Sequence, residues 1–203
     1  ARERTEEEKR EDARNRCFGT FLDDDETICG VVNSREYLCR FDGGTYKLGG
    51  VGGVSTLPQY RRGGVIRACM TASLKDMYAN DFTFAFLYPF SMQYYRKFGF
   101  EAGAPEYRWS VPFTAMKPQD VGGHVEQIFS GGDFTPLLTV YNAFYADHNL
   151  SAVRETYDKG LEKVNLWNDK RYVFVWYNNE NQPRGLMITH KIEEDGVTYL
   201  DCT

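Results

Sequence analysis

Arg61, Arg62, Gly63 and Gly64, followed by Val65, Ile66 and Arg67, stand where a strand-like run gives way to a helical one. Two arginines and two glycines at a helix start suit anion binding. The first N–H groups of a helix have no intrahelical acceptor, and that end carries partial positive charge. Glycines allow close backbone approach and left-handed φ. Arg62 and Arg67 can add charge-assisted hydrogen bonds. The amides of residues 62–67 are therefore expected to face one pyrophosphate. The same residues read equally as a tight strand-to-helix turn with two solvated arginines. Two nucleotide cradles are excluded: no Gly-Lys-Ser/Thr completes a P-loop, and no GxGxxG stands at the turn of a parallel sheet.

The remaining reactive side chains are less telling. Five cysteines (17, 29, 39, 69 and 202) form an odd set without CxxC spacing, which argues against zinc and redox motifs. Cys29, Cys39 and Cys69 lie in apolar runs and read as buried free thiols. His124, His148 and His190, the only histidines, all fall in the second half and read as surface or satisfied residues.

Several elements must position the loop. Glu3–Arg16 reads as an exposed helix or a frayed lead-in. Strand-like runs 18–22, 27–32 and 37–41 are separated by the turn residues Asp23-Asp24-Asp25 and Asn33-Ser34, and Asp42-Gly43-Gly44 follows the third. They predict an antiparallel meander, and run 45–56 leads into the loop. Ile66, Met70, Leu74 and Met77 then mark one helical face ending near Asn80-Asp81. Phe82–Leu87 has too little polarity for a half-exposed strand and reads as a central strand covered on both faces. Ser91 is a good N-cap for a helix 92–98, with Gly99 as its C′ residue. A further strand is expected over 107–111.

From Thr114 the composition resets, through a linker-like region punctuated by Pro118, Gly122-Gly123 and Gly131-Gly132. Helices are expected over 136–146 and 154–164, and strands over 172–177, 186–190 and 197–200, with a turn at Glu194-Asp195-Gly196. The domains are thus 1–113 and 114–203, the second incomplete, and the chain reads as a fragment.

The 203 residues are 42% apolar and 15% aromatic, enough for packed cores, and the net charge is −5. That sign argues against nucleic-acid binding by bulk electrostatics and would suit a cationic amine. No apolar run approaches the ~20 residues of a membrane span, and no signal peptide is visible. A reducing cytoplasm is the expected compartment.

The run V-x-T-x-P-x-Y-R-R-G-G-V (54–65) before a helix resembles the acetyl-CoA motif of the GCN5-related N-acetyltransferases, Arg/Gln-x-x-Gly-x-Gly/Ala. Arg61 fills the first position and Gly64 the central glycine, while Ile66 replaces the usual small residue. That departure resembles the enhanced-intracellular-survival (Eis) branch. Tyr95-Arg96-Lys97-Phe98-Gly99-Phe100 resembles the family's Tyr-x-x-Phe-Gly-Phe. The likeness covers residues 1–112 well. The second half matches the Eis family's second domain in layout only.

The resemblance implies an α/β acyl-CoA N-acyltransferase fold, with a mixed, mostly antiparallel sheet, helices on both faces and part of a second such domain. It implies acetyl-CoA as co-substrate and no metal. Val54, Ser55 and Thr56 would bond the pantetheine by strand addition. Arg62, Gly63, Gly64, Val65, Ile66 and Arg67 would hold the pyrophosphate. Phe90 and Ser91 would touch the distal part. Tyr95 would be the general acid, since a phenol can hand a proton to a departing thiolate. The acceptor would be a small primary amine, polyamine- or aminoglycoside-like, attacking directly in a ternary complex, with no nucleic-acid or membrane partner. A homo-oligomer, a hexamer, is implied, with the general base a C-terminal carboxylate from a third domain. Within this chain Glu101 or a water chain could substitute. The rival is a CoA-binding or assembly module without turnover.

Overall fold

The structure, a computed structural model, describes residues 5–23, 26–103, 107–129, 131–155 and 171–202. Two compact units emerge: Ala1–Arg108 with Asn149–Ala152, and Trp109–His148 with Val153–Thr203.

The first unit opens with helix α1 (Glu6–Arg14) and strand β1 (Asn15–Phe21), which runs antiparallel to β2 (Ile28–Phe41). β2 is one continuous strand of 14 residues, so Asn33-Ser34 makes no turn. Backbone pairing overrides their turn preference, because Asn33 pairs with Cys17 on one edge and Gly52 on the other. Asp42 and Gly43, with φ of 47° and 75°, make the two-residue hairpin into β3 (Gly44–Thr56). Beyond the end of β1, β6 (Ser151–Val153) pairs with β2, with Leu150 N–H donating to Arg40 O at 2.7 Å.

Helix α2 (Val65–Ala79) covers this sheet with Ile66, Cys69, Met70, Ser73 and Met77, all buried, and Leu74 partly so. The apolar spacing thus falls on the packed face, with Cys69 and Ser73 added. β4 (Phe82–Leu87) follows, parallel to β3. It ends the strand order β1-β2-β3-β4 rather than lying centrally; Thr83 is exposed and its other residues are half-buried. Its apolar run is explained by local partners: Phe84 meets Phe41 and Tyr46, and Phe82 lies under Arg16 and Lys47. Helix α3 (Met92–Arg96) completes the unit's core through Tyr95.

Residues 107–111 form no strand; Tyr107, Trp109 and Val111 are exposed there, and β-propensity without a paired edge leaves a strand unmade.

The second unit is an antiparallel sheet in the order β5-β7-β8-β9, from β5 (His124–Ile128), β7 (Arg171–Tyr177), β8 (Pro183–Glu194) and β9 (Val197–Cys202). β5 lies inside the region read as a linker; its polar sequence, mostly exposed, hid it. Helix α4 (Thr135–Phe144) buries Leu137 and Leu138 against Ile128, Val173 and Val175. Asp195-Gly196 makes the last hairpin, with φ of 51° and 77°. The expected helix 154–164 lies almost wholly outside the described residues.

Candidate active site

β3 and β4 run side by side only as far as the pair Val51–Leu87. β3 continues to Thr56, so its last five residues have β2 on one edge and no β4 ladder on the other. Within this stretch the register slips: Val31 faces Ser55 but Asn33 faces Gly52, leaving Gly53 and Val54 opposite Val32. Gly53 has φ of 57°, the left-handed position of a bulge that glycine favours. A Cβ there would also run into the Asn33 amide. The bulge re-aims the backbone of Val54, Ser55 and Thr56 where the two strands part. An extended ligand could add to that edge as a strand does.

The chain then turns quickly. Leu57 N–H extends the ladder to Cys29 O at 2.9 Å, and Pro58–Tyr60 form a single 3₁₀ turn. Arg62 and Gly64 both have left-handed backbones, φ 66° and 84°, while Gly63 between them does not. Left-handed residues in such a turn can aim successive N–H groups toward one concavity, the arrangement called an anion nest. α2 starts here without a side-chain cap. A Cβ on Gly64 would meet nothing within 4 Å, so glycine is required there by φ and the space above is open. Arg62 and Arg67 are exposed beside it. An arginine at positive φ costs about 1–2 kcal/mol, which the surrounding turn must offset.

α3 is built the opposite way. Ser91 caps it, its Oγ accepting from Tyr94 N–H at 3.3 Å. At its far end Gly99 has φ of 88°; Gly99 N–H donates to Arg96 O at 3.1 Å and Phe100 N–H to Tyr95 O at 3.4 Å. This is a Schellman ending, and its hydrophobic contact is the Tyr95–Phe100 pair, ring centroids 6.2 Å apart. The spacing Tyr-x-x-Phe-Gly-Phe therefore has a physical meaning: the helix ending fixes the tyrosine.

Tyr95 is 3% exposed, in contact with the rings of Phe90 and Tyr94 and in one cluster with Val51, Ile66 and Met70. Burial raises its pKa above the ordinary phenol value, and the neighbouring Tyr94 raises it further. Tyr95 thus holds its proton throughout the neutral range. Tyr94 is also raised by burial, an effect the Arg67 guanidinium partly offsets. Phe90 is 73% exposed, just before the helix, with its ring 5.2 Å from that of Tyr94.

A groove of about 440 Å³ lies between α2 and α3, lined by Arg67, Leu74, Lys75 and Tyr78 on one side and Lys97 and Phe98 on the other. It starts one turn from the nest. Sequence reading missed Lys75, Tyr78 and Lys97, although Arg67, Lys75 and Tyr78 recur at helical spacing. Glu101, weighed as a base, has both carboxylate oxygens 3.0 Å from Arg96 Nε. The three histidines belong to the second unit; His124 stacks on Tyr177 and His148 on Phe144. Among the described residues, no cluster of three His, Cys, Asp or Glu side chains could hold a metal ion, and no helix is long and apolar enough to cross a membrane.

A family model described as an acetyltransferase (GNAT) domain matches residues 1–103. No curated protein matches the chain. Among solved structures, a probable N-acyltransferase of unknown function from Enterococcus faecalis V583 is 21% identical with a TM-score of 0.72, over 95% of this chain and 48% of its own. A GCN5-related N-acetyltransferase from Anabaena variabilis is 18% identical with a TM-score of 0.71, over 90% and 46%. Eis1 from Mycobacterium abscessus is 19% identical with a TM-score of 0.60, over 88% and 45%. At these identities the likeness is one of fold, and the chain spans about half the length of each structure.

Proposed function

Because the chain belongs to the GNAT acetyltransferase family, we propose that its first unit binds acetyl-CoA and transfers the acetyl group to a primary amine. The single observation that carries this reading is the nest at Arg62–Gly64 opening an uncapped helix directly beyond the point where β3 and β4 part. That geometry fits the ligand: the free edge of Val54–Thr56 for pantetheine, and the amides of residues 62–67 with Arg62 and Arg67 for pyrophosphate. The cationic groove extends the fit. Lys75 and Lys97 would hold a ribose phosphate, and Tyr78 or Phe98 would face the base.

When bound, acetyl-CoA supplies an acetyl thioester. An amide of Val54–Thr56 would polarise its carbonyl, as an oxyanion donor does. Attack by the amine forms the C–N bond and breaks the C–S bond. Tyr95 then gives its phenolic proton to the departing sulfur. Burial disfavours the phenolate, and it disfavours a thiolate formed in the same desolvated place as well, so both groups shift in the same direction. The proton lost by the amine goes to a base outside the residues singled out, since Glu101 is engaged with Arg96. We read the acceptor as polyamine- or aminoglycoside-like, residues 114–203 as part of a second domain of similar fold, and the assembly as a homo-oligomer.

The test is a calorimetric titration with CoA, followed by an acetylation screen over primary amines. Binding with turnover is expected. Binding without turnover on any amine would favour a CoA-binding module, and absence of binding would remove the reading.

A further inference from the structure

Gly30 sits in the middle of three strands, opposite Thr20 of β1 and Thr56 of β3. It also lies directly beneath the first residue of α2. A Cβ on Gly30 would lie 2.6 Å from Val65 Cγ1, 2.8 Å from Ser55 O and 3.3 Å from Thr56 Oγ1. The first residue of α2 thus occupies the place of the missing side chain. Two polar groups tie the same turn down. Thr20 Oγ1 donates to Val65 O at 3.3 Å and lies 2.9 Å from Cys69 Sγ, and Cys69 Sγ donates to Gly30 O at 3.6 Å. Every contact converges on the underside of the helix start whose upper side carries the nest.

We propose that Thr20, Gly30 and Cys69 are positioning residues for the cofactor: they seat the start of α2 against the end of β3. The outward-facing amide of Thr56 and those of residues 62–67 then form one continuous cradle for a ligand with a pyrophosphate at one end and an amide-bearing arm at the other. The proposal rests on the acetyl-CoA reading above. Its physical core is that the two halves of the cradle belong to different elements. Only a side-chain-free residue beneath Val65 lets them meet, and packed cores resist added atoms rather than yield smoothly.

The test titrates CoA into the 203-residue chain and its variants by calorimetry, with melting of each unliganded protein measured in parallel. Gly30→Ala is expected to weaken CoA binding about tenfold, by lifting the helix start from the strand. Thr20→Val, which keeps shape and removes the hydroxyl, is expected to weaken it about threefold, with Thr20→Ser restoring it. A folded Thr20→Val protein with wild-type CoA affinity, whatever its melting temperature, overturns the proposal, because a merely structural tie would change melting and leave affinity alone. Failure of Thr20→Ser to restore affinity overturns it as well. If Gly30→Ala does not fold, the Thr20 pair decides. Wild-type protein that does not bind CoA overturns the loop reading itself, a distinct result, and removes this inference with it.

Discussion

The helices that cover the two sheets begin in opposite ways. α3 is capped by Ser91, which accepts from Tyr94 N–H at 3.3 Å; α4 has no side-chain cap at Phe134, but the Asp133 carboxylate just before it accepts from its first amide, Thr135 N–H, at 2.9 Å. α2 starts bare, on a glycine at φ 84°, with arginines on either side. Capping a helix with its own side chain stabilises the fold and closes that end to ligands. Starting on glycine forgoes only about a few tenths of a kcal/mol and leaves the amides and the dipole for an anion. The contrast separates helix starts that serve structure from the one proposed to serve binding.

The sharpest way to break the contrast is to give α2 a cap of its own. Aspartate tolerates left-handed φ better than most residues, so Gly64→Asp is expected to fold. Its carboxylate would satisfy the nest and repel phosphate, and CoA binding should disappear in calorimetry. Unchanged affinity in a folded variant would show that the bare start is not the site. Tyr95→Phe leaves the nest untouched: kcat is expected to fall by about 10² while CoA affinity barely changes. Equal losses in binding and turnover would count against the acid role. Because burial and Tyr94 raise Tyr95 above its ordinary 10.0, no alkaline loss of activity from this group is expected below pH 10. The sign for stability agrees: the folded state holds the proton more tightly, so its contribution is complete below the unfolded value and fades as pH rises through the folded one.

Next in size is the groove. Replacing Lys75 and Lys97 together by alanine should weaken CoA about tenfold and 3′-dephospho-CoA much less. Equal weakening of both ligands would place the ribose phosphate elsewhere. Smallest are the helix starts whose first amides meet a side chain. Ser91→Ala is expected to cost about 1 kcal/mol by denaturant unfolding. Asp133→Ala should lower the melting temperature at neutral pH. Hydrogen bonds from Thr135 depress the Asp133 carboxyl below its ordinary 3.8, so that stabilisation is present above the unfolded value and lost as pH falls through the folded one. The difference between the two proteins should therefore vanish in acid.

The features that were legible share a cause: each is fixed by a few adjacent residues. The Ser91 cap, the Gly99 ending, the Asp42-Gly43 and Asp195-Gly196 hairpins and the apolar face of α2 are local events whose chemistry the sequence spells out. What escaped depends on partners distant in the chain. Asn33-Ser34 reads as a turn until β1 and β3 pair with it on both edges. The bulge could not be assigned within Gly49-Gly50-Val51-Gly52-Gly53, because register alone picks Gly53. Lys97 became a groove residue only when α3 lay against α2. The place of Gly30 under Val65 is likewise invisible without the helix above it.

The distribution of thiols has a practical consequence. Cys17 and Cys202 are exposed, whereas Cys29, Cys39 and Cys69 are buried. A thiol reagent should label two cysteines at once and the other three only when the structure opens around them. Cys69 lies beneath the start of α2, so its labelling rate is a clock for opening of that region, readable by mass spectrometry without a reporter added. A ligand that closes the cradle should slow that clock while leaving Cys17 and Cys202 at their original pace.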